Sequence, residues 1–233
     1  MATNNVEAKK RRAWTTGVFV KQLMAISGLF FVLFLLFHSY GNLKMFLGPE
    51  AYNGYAEWLK WDAFVPIFPH GGFIWVFRAV MLVLILIHIV AAITVWVRSK
   101  RARKTPYAVK KSAVEAYAAR TMRFTGVALI FFIVLHILNF TTATIQTGFT
   151  AADSPYYRMV GAFENPWVFI AYLLFVALVT AHVGHGFWSA FQTMGWVRKD
   201  TRKFMVGLSG VIAALIFVMF MLPPLFILIG VIH

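Results

Sequence analysis

Five long apolar stretches, separated by polar segments, dominate the pattern of hydrophobic and polar positions along the chain. They cover about residues 22–43, 73–97, 124–147, 167–196 and 204–232. Each contains about 20 residues or more, the length that a helix needs to cross the hydrocarbon core of a bilayer. The short alternating strands of a membrane barrel are not visible in the sequence. The pattern therefore predicts an all-α membrane protein with five transmembrane helices.

The composition agrees with a membrane protein. Of the 233 residues, 61% are hydrophobic and only 13% are charged, whereas a soluble domain carries about 25% charged residues. This excludes a stable soluble monomer, and it also excludes a disordered chain, which requires low hydrophobicity. The absence of cysteine excludes disulfides, thiolate zinc sites and iron–sulfur ligation by this chain.

The basic residues predict the orientation of the chain. Of the 22 Lys and Arg residues, 18 lie in segments 1–21, 98–123 and 198–203, which the five spans place on one side. Because positive loops stay in the cytoplasm, we expect a multi-pass membrane protein with a cytoplasmic N-terminus. In a soluble protein, the net charge of +14 would suggest nucleic acid, but here it sets orientation and attracts anionic lipid.

The polar segments carry three further predictions. Residues 1–21 are interpreted as a basic cytoplasmic segment and not as a signal peptide, because the apolar run that follows is too long for one. The aromatic-rich segment 44–72 predicts an interfacial helix followed by a turn. The segment from Ala113 to Arg120 could form a short amphipathic helix. A separate prediction concerns the fifth apolar stretch, where the pair Pro223-Pro224 is expected to interrupt the helix.

Histidines are the main candidate functional residues. Five of the seven lie within the predicted spans, namely His38, His88, His136, His182 and His185. An ionisable group in lipid is costly, and therefore each intramembrane histidine is a functional candidate. A single buried histidine can simply form a hydrogen bond to a neighbouring helix. Four consecutive helices that each offer a histidine instead indicate metal binding, since neutral imidazole is a good ligand for iron, copper or zinc.

Haem fits this arrangement, because its iron commonly takes axial histidine and a helical bundle can present two imidazoles across a macrocycle. Depths estimated from the helical rise suggest an outer pair, His38 with His136, and an inner site that uses His88. The partner of His88 in the fourth span stays open, and depth mildly favours His185 over His182. No motif of a soluble enzyme is found, which favours electron transfer over substrate chemistry.

Two local motifs resemble those of a known family. Ser27-Gly28 is followed by His38 ten residues after the glycine, and the fourth span contains the run His182-Val-Gly-His185-Gly186. With five spans and histidines in the first four, the chain resembles the di-haem cytochrome b membrane anchor of bacterial succinate dehydrogenases and fumarate reductases, the b558 type. The resemblance covers about residues 20–230.

The resemblance implies two b haems in a bundle of the first four helices. His88 and His182 would hold one haem near the cytoplasmic side, and His38 and His136 a second near the outer side. The family places the fourth-helix ligand four residues before a glycine, which selects His182 over His185. Gly28 and Gly186 would leave room for the macrocycles, although ordinary helix packing explains single glycines equally well.

The resemblance also implies a location in the bacterial cytoplasmic membrane, two partner subunits and a role. A flavoprotein subunit and an iron–sulfur subunit would bind on the cytoplasmic face. The chain would pass electrons between the iron–sulfur subunit and a membrane quinone such as menaquinone, and would carry the quinone site without being catalytic alone. Two alternatives stay open: the cytochrome b anchor of another oxidoreductase, such as a hydrogenase or formate dehydrogenase, and a haem-free transporter or anchor.

Overall fold

The computed structural model describes residues 16–102 and 113–233, with side chains described for 16–102 and 120–233. These residues form seven α-helices and no strand. The helices are α1 (Gly17–Leu43), α2 (Pro49–Trp61), α3 (Gly72–Arg101), α4 (Ala113–His136), α5 (Pro155–Phe163), α6 (Pro166–Thr193) and α7 (Arg202–Leu228). A 3₁₀ turn, Lys44–Leu47, follows α1, and a π-helical turn, Ile137–Thr141, continues α4.

Five of these helices, α1, α3, α4, α6 and α7, are long and apolar enough to cross a membrane. Their number and order agree with the five apolar stretches, and the described fold is all-helical as expected. We call the end where α1 and α7 begin the basic end, because Lys21 and Arg202 lie there among many cations. The opposite end, which carries α2 and α5, is called the capped end.

The third and fifth helices differ from the sequence expectation. Helical structure in the third stretch stops at Thr141, and Ala143 follows with a left-handed backbone at φ 52°. The amide of Asn139 donates to the carbonyl of Ile145 at 2.8 Å in the segment beyond the helix. The segment from Ala113 forms the first turns of α4 and not a separate helix.

The expected interruption at Pro223-Pro224 was wrong, since α7 continues through both prolines to Leu228. Both proline rings are buried in the bundle. Proline in a helix removes backbone hydrogen bonds, and the packing of these rings compensates for that loss. The helix regains its hydrogen bonding immediately afterwards, where Ile229 N–H donates to the carbonyl of Leu225 at 3.1 Å.

The bundle is organised around α1 and α6, which pack against each other and both pack against α7. α3 packs mainly on α1, and α4 packs mainly on α6. A core cluster of Val32, Val179, Val183 and Ile216 fills the α1–α6–α7 junction. α6 and α7 approach closely where Ser209 donates a hydrogen bond to the carbonyl of Gly184. α3 and α4 therefore lie on different flanks of the bundle, and the central helices lie between them.

α2 and α5 close the capped end. Met45, Tyr156, Phe163, Ile227 and Ile232 form a buried cluster beneath them. Asn53 of α2 joins the two helices: its amide donates to Ser154 Oγ, and its carbonyl oxygen accepts from Tyr156 N–H, both at 3.0 Å. α2 is the helix that the aromatic segment predicted. The cap therefore holds the ends of the long helices in register.

Candidate functional site: two histidine pairs between the long helices

Four intramembrane histidines meet in two pairs. The rings of His38 on α1 and His136 on α4 have centres 5.9 Å apart, and those of His88 on α3 and His182 on α6 have centres 6.4 Å apart. The pairs have the same members as the two pairs that the family resemblance implies. We call His88 and His182 the basic-end pair, and His38 and His136 the capped-end pair.

The two pairs lie at different levels of the bundle. His88 lies beside Gly28 on α1, ten residues before His38, and His182 lies beside Gly126 on α4, ten residues before His136. At a rise of 1.5 Å per residue, ten residues of helix separate the two levels by about 15 Å. Each pair joins helices from different parts of the bundle, and together the pairs extend along its length.

Buried hydroxyl groups hold both rings of the basic-end pair. Ser27 Oγ lies 3.1 Å from His88 Nδ1, and Thr125 Oγ1 lies 3.0 Å from His182 Nδ1. Each hydroxyl also donates to the backbone carbonyl four residues earlier, Ser27 to Leu23 at 2.7 Å and Thr125 to Thr121 at 2.9 Å. A hydroxyl has one proton, and therefore its oxygen is left to accept from the histidine.

This arrangement assigns the tautomer of the basic-end pair. Each hydroxyl oxygen lies closer to the carbonyl oxygen than to the imidazole nitrogen, and we therefore assign the hydroxyl protons to the carbonyls and a proton to Nδ1 of both imidazoles. In a neutral imidazole, Nε2 then carries the lone pair and is the nitrogen free to bind a metal. Metal-binding histidines commonly show this pattern, in which the other ring nitrogen donates to an oxygen acceptor.

Glycines bring the helix backbones close to the same two rings. A Cβ added at Gly28 would lie 3.3 Å from Cε1 of His88, and one added at Gly126 would lie 3.5 Å from Cε1 of His182. Gly186, a predicted site residue, does not lie against the ring of His182, since the nearest atom to a Cβ there is Cε of Met122, at 3.7 Å. Gly126 was not singled out in the sequence, and the prediction that Gly186 leaves room for a macrocycle stays a prediction.

The sequence signal for Thr125 and Gly126 was overlooked. α1 contains Ser27-Gly28 with His38 ten residues after the glycine, and α4 contains Thr125-Gly126 with His136 ten residues after its glycine. In each helix the hydroxyl and glycine contact a basic-end histidine, and the later histidine joins the capped-end pair. The two helices therefore carry the same site-forming motif.

Aromatic rings surround the capped-end pair. His38 stacks on Phe34 with ring centres 5.3 Å apart, and Phe132 and Tyr172 lie 5.7 and 6.2 Å from the ring of His136. Nδ1 of His136 is buried and has no hydrogen-bond partner among the described residues. His136 also immediately precedes the π-helical turn, a feature frequent at functional sites.

The remaining intramembrane histidine, His185, belongs to neither pair. It lies three residues after His182 on α6 and is partly exposed. The depth estimate, which mildly favoured His185 as the partner of His88, therefore does not agree with the geometry. The estimate used Arg198 as the membrane edge, whereas α6 ends earlier, at Thr193.

A groove of about 280 Å³ opens beside the capped-end pair, between α4 and α6. Phe132, Trp167 and Tyr172 contribute to its walls. The hydroxyl of Tyr172 donates to Asn139 at 3.0 Å, and the Asn139 amide donates to Thr147 Oγ1 at 3.1 Å. The groove is thus apolar with a small polar margin next to His136.

Within the residues that the structure describes, no group of three or more His, Cys, Asp or Glu side chains is arranged to hold a metal ion. The chain matches no known protein-family profile, and searches of curated proteins and of solved structures find no match either. The candidate site therefore stands on its geometry alone.

Proposed function

We propose that the chain is a di-haem cytochrome b that anchors a succinate dehydrogenase or fumarate reductase in the bacterial cytoplasmic membrane. The observation that carries the proposal is the presence of two facing histidine pairs, about 15 Å apart along a bundle of long apolar helices. His88 and His182 would hold one haem, and His38 and His136 would hold the other.

The spacing within each pair fits a metal between two imidazoles. If two imidazoles held one metal between them with bonds of about 2.0 Å, their ring centres would lie about 6.3 Å apart. The observed separations are 6.4 and 5.9 Å. A structural zinc site takes four protein ligands, whereas haem iron receives four nitrogens from its own macrocycle and needs only two from the protein. A site with two imidazoles therefore suits haem better than a bare ion.

Three further features support the same assignment. The hydroxyl contacts of His88 and His182 leave Nε2 of both rings with a free lone pair. Gly28 leaves space beside His88 where a Cβ would lie only 3.3 Å from the ring, and Gly126 brings α4 close to His182. Nδ1 of His136 is buried and lacks a hydrogen-bond partner in the described part of the chain, so that the capped-end pair contains a buried nitrogen that a bound group could satisfy.

When bound, haem would supply one-electron redox chemistry at the two levels of the bundle. The chain's own residues fix the geometry: Ser27 and Thr125 orient the basic-end imidazoles, and the aromatic rings around His38 and His136 exclude water. Two imidazoles at each site leave no open coordination position, which suits electron transfer rather than oxygen binding. Two sites along the bundle would divide the width of a membrane about 30 Å thick into shorter steps.

The partners follow from the resemblance and from charge. Lys21, Arg98 and Arg202 are among the cations of the basic end, and the distribution of positive charge supports a cytoplasmic location for this end. A flavoprotein subunit and an iron–sulfur subunit would bind there. A membrane quinone, such as menaquinone, would exchange electrons with the chain.

The proposal is tested with the purified chain in detergent, by a reduced-minus-oxidised optical spectrum and a pyridine haemochrome assay. We expect two b haems per chain in the wild type and one in each alanine variant of His38, His88, His136 and His182. His185→Ala is the matched control, because it removes an intramembrane imidazole that belongs to neither pair, and it should retain both haems. A folded wild-type complex without haem would refute the proposal and favour a haem-free anchor or transporter.

A further inference from the structure

The basic-end pair and the capped-end pair are held by different kinds of contact. Ser27 and Thr125, which are both about 1% exposed, reach the rings of His88 and His182 through their hydroxyl oxygens. The capped-end pair has aromatic neighbours, and the Nδ1 atom of His136 has no partner in the described part of the chain. The hydroxyl contacts therefore distinguish one site from the other.

The direction of these hydrogen bonds decides their effect. Because each hydroxyl gives its proton to a backbone carbonyl of its own helix, it acts toward the imidazole as an acceptor. An acceptor at Nδ1–H fixes the tautomer and the ring orientation, and it increases the basicity of the other nitrogen. The carbonyls belong to rigid helices, and thus the hydroxyl oxygens are held in place before any ligand binds.

We propose that Ser27 and Thr125 are positioning residues for the basic-end pair, and that they set both the retention and the redox potential of the haem held there. This inference rests on the proposed function. Neither residue would touch the iron. Each would act through a histidine, by keeping Nε2 directed at the metal and by making it a stronger electron donor.

Removal of a hydroxyl has two expected consequences. The Nδ1–H of the histidine would lose its acceptor, so that the ring could turn or exchange tautomers. Loss of the hydrogen-bond acceptor of a metal-binding histidine typically weakens metal binding by about 10–100-fold. A less basic imidazole also stabilises the ferric state less, and therefore the potential of the basic-end haem should rise while that of the capped-end haem stays unchanged.

Thr125 offers the sharpest pair of variants. Thr125→Val retains the shape of the side chain but removes the hydroxyl, whereas Thr125→Ser retains the hydroxyl and removes only a methyl group. Ser27→Ala tests the equivalent contact on α1. Ser39→Ala is the matched control on the same helix, because Ser39 is fully buried and donates to the Leu36 carbonyl at 3.0 Å, next to His38.

Each purified variant is compared with the wild type in three measurements. They are the haem content, a redox titration followed by the optical spectrum, and the low-spin electron paramagnetic resonance signals of the ferric haems. We expect Thr125→Val and Ser27→Ala to change the electron paramagnetic resonance signal and the redox potential of one haem only. The retention of that haem should fall about 10-fold. The haem affected should be the one lost in His88→Ala and His182→Ala. Thr125→Ser and Ser39→Ala should resemble the wild type.

The outcomes separate this inference from the proposed function. A wild-type chain without haem would refute the proposed function, and the inference with it. A wild type with two haems, together with Thr125→Val and Ser27→Ala variants that match Ser39→Ala in every measurement, would refute the inference alone. Equal loss of both haems in Thr125→Val and Thr125→Ser would indicate a general role in folding and would also overturn it.

Discussion

A methyl group added at Gly28 should disturb the basic-end pair, whereas one added at Gly126 should not. A Cβ at Gly28 would lie 3.3 Å from Cε1 of His88, while the equivalent distance from Gly126 to His182 is 3.5 Å. Favourable carbon–carbon contacts begin at about 3.5 Å. The two positions carry the same motif on two helices, and they differ only in this clearance.

The size of the expected effect of Gly28→Ala on haem retention follows from the geometry around His88. Its ring would have to move by a few tenths of an ångström to relieve the contact with Gly28→Ala. Its Nδ1 already lies 3.1 Å from Ser27 Oγ, near the long end of hydrogen-bond distances. Metal–ligand distances vary by only about 0.2 Å in good sites, and overpacking typically costs about 1–3 kcal/mol. We therefore expect about a 5-fold to 150-fold loss in haem retention at the basic end.

The assay compares Gly28→Ala and Gly126→Ala by haem content and redox titration, with thermal unfolding in detergent measured in parallel. Gly28→Ala should lose or shift the haem held by His88 and His182, whereas Gly126→Ala should retain two haems with unchanged potentials. Equal retention in the two variants, with equal thermal stability, would refute the argument from clearance.

Three further predictions concern the scaffold. Ile216→Ala should lower the free energy of unfolding by about 2–5 kcal/mol, because Ile216 is fully buried between the central helices, and the change is measured by thermal unfolding in detergent. Ser209→Ala should cost about 1 kcal/mol in the same measurement, because it removes the hydrogen bond to the Gly184 carbonyl; an equal or larger loss than for Ile216→Ala would contradict this ranking. Burial raises the pKa of Tyr52 to about 12 from 10.0, so that the stabilisation from its neutral phenol is complete below pH 10.0 and is lost as the pH rises through about 12. Ultraviolet titration of the phenol against a Tyr52→Phe control checks this, and an ordinary titration near pH 10.0 would contradict it.

The transmembrane pattern could be predicted well from the sequence, since long apolar runs can satisfy their backbone groups in lipid only by forming helices. Helix ends and interruptions were less predictable. The third helix stops at Thr141, shortly before the left-handed residue Ala143, and α7 continues through Pro223, whose ring is buried in the bundle. Both outcomes depend on neighbours that are distant in the sequence or on contacts that hydropathy does not describe.

The candidate site was predictable in its residue types but not in its supporting contacts. The four histidines stand out because ionisable groups are rare in apolar spans. The role of Thr125-Gly126 could have been inferred from its spacing to His136, which repeats that of Ser27-Gly28 to His38. The predicted role of Gly186, to leave room for a macrocycle, stays a prediction.

The sequence alone determined that the chain is helical, that five of its helices are long and apolar enough to cross a membrane, and which side chains could bind a metal, because these properties depend on local composition and spacing. Only the tertiary structure decided which histidines face each other, because that depends on how α3 and α4 pack on the central pair of α1 and α6. It also decided the tautomer of the basic-end pair. The hydroxyls and the imidazoles that they hold are 61 and 57 residues apart in the chain, and only the folding of the bundle brings them within hydrogen-bond distance.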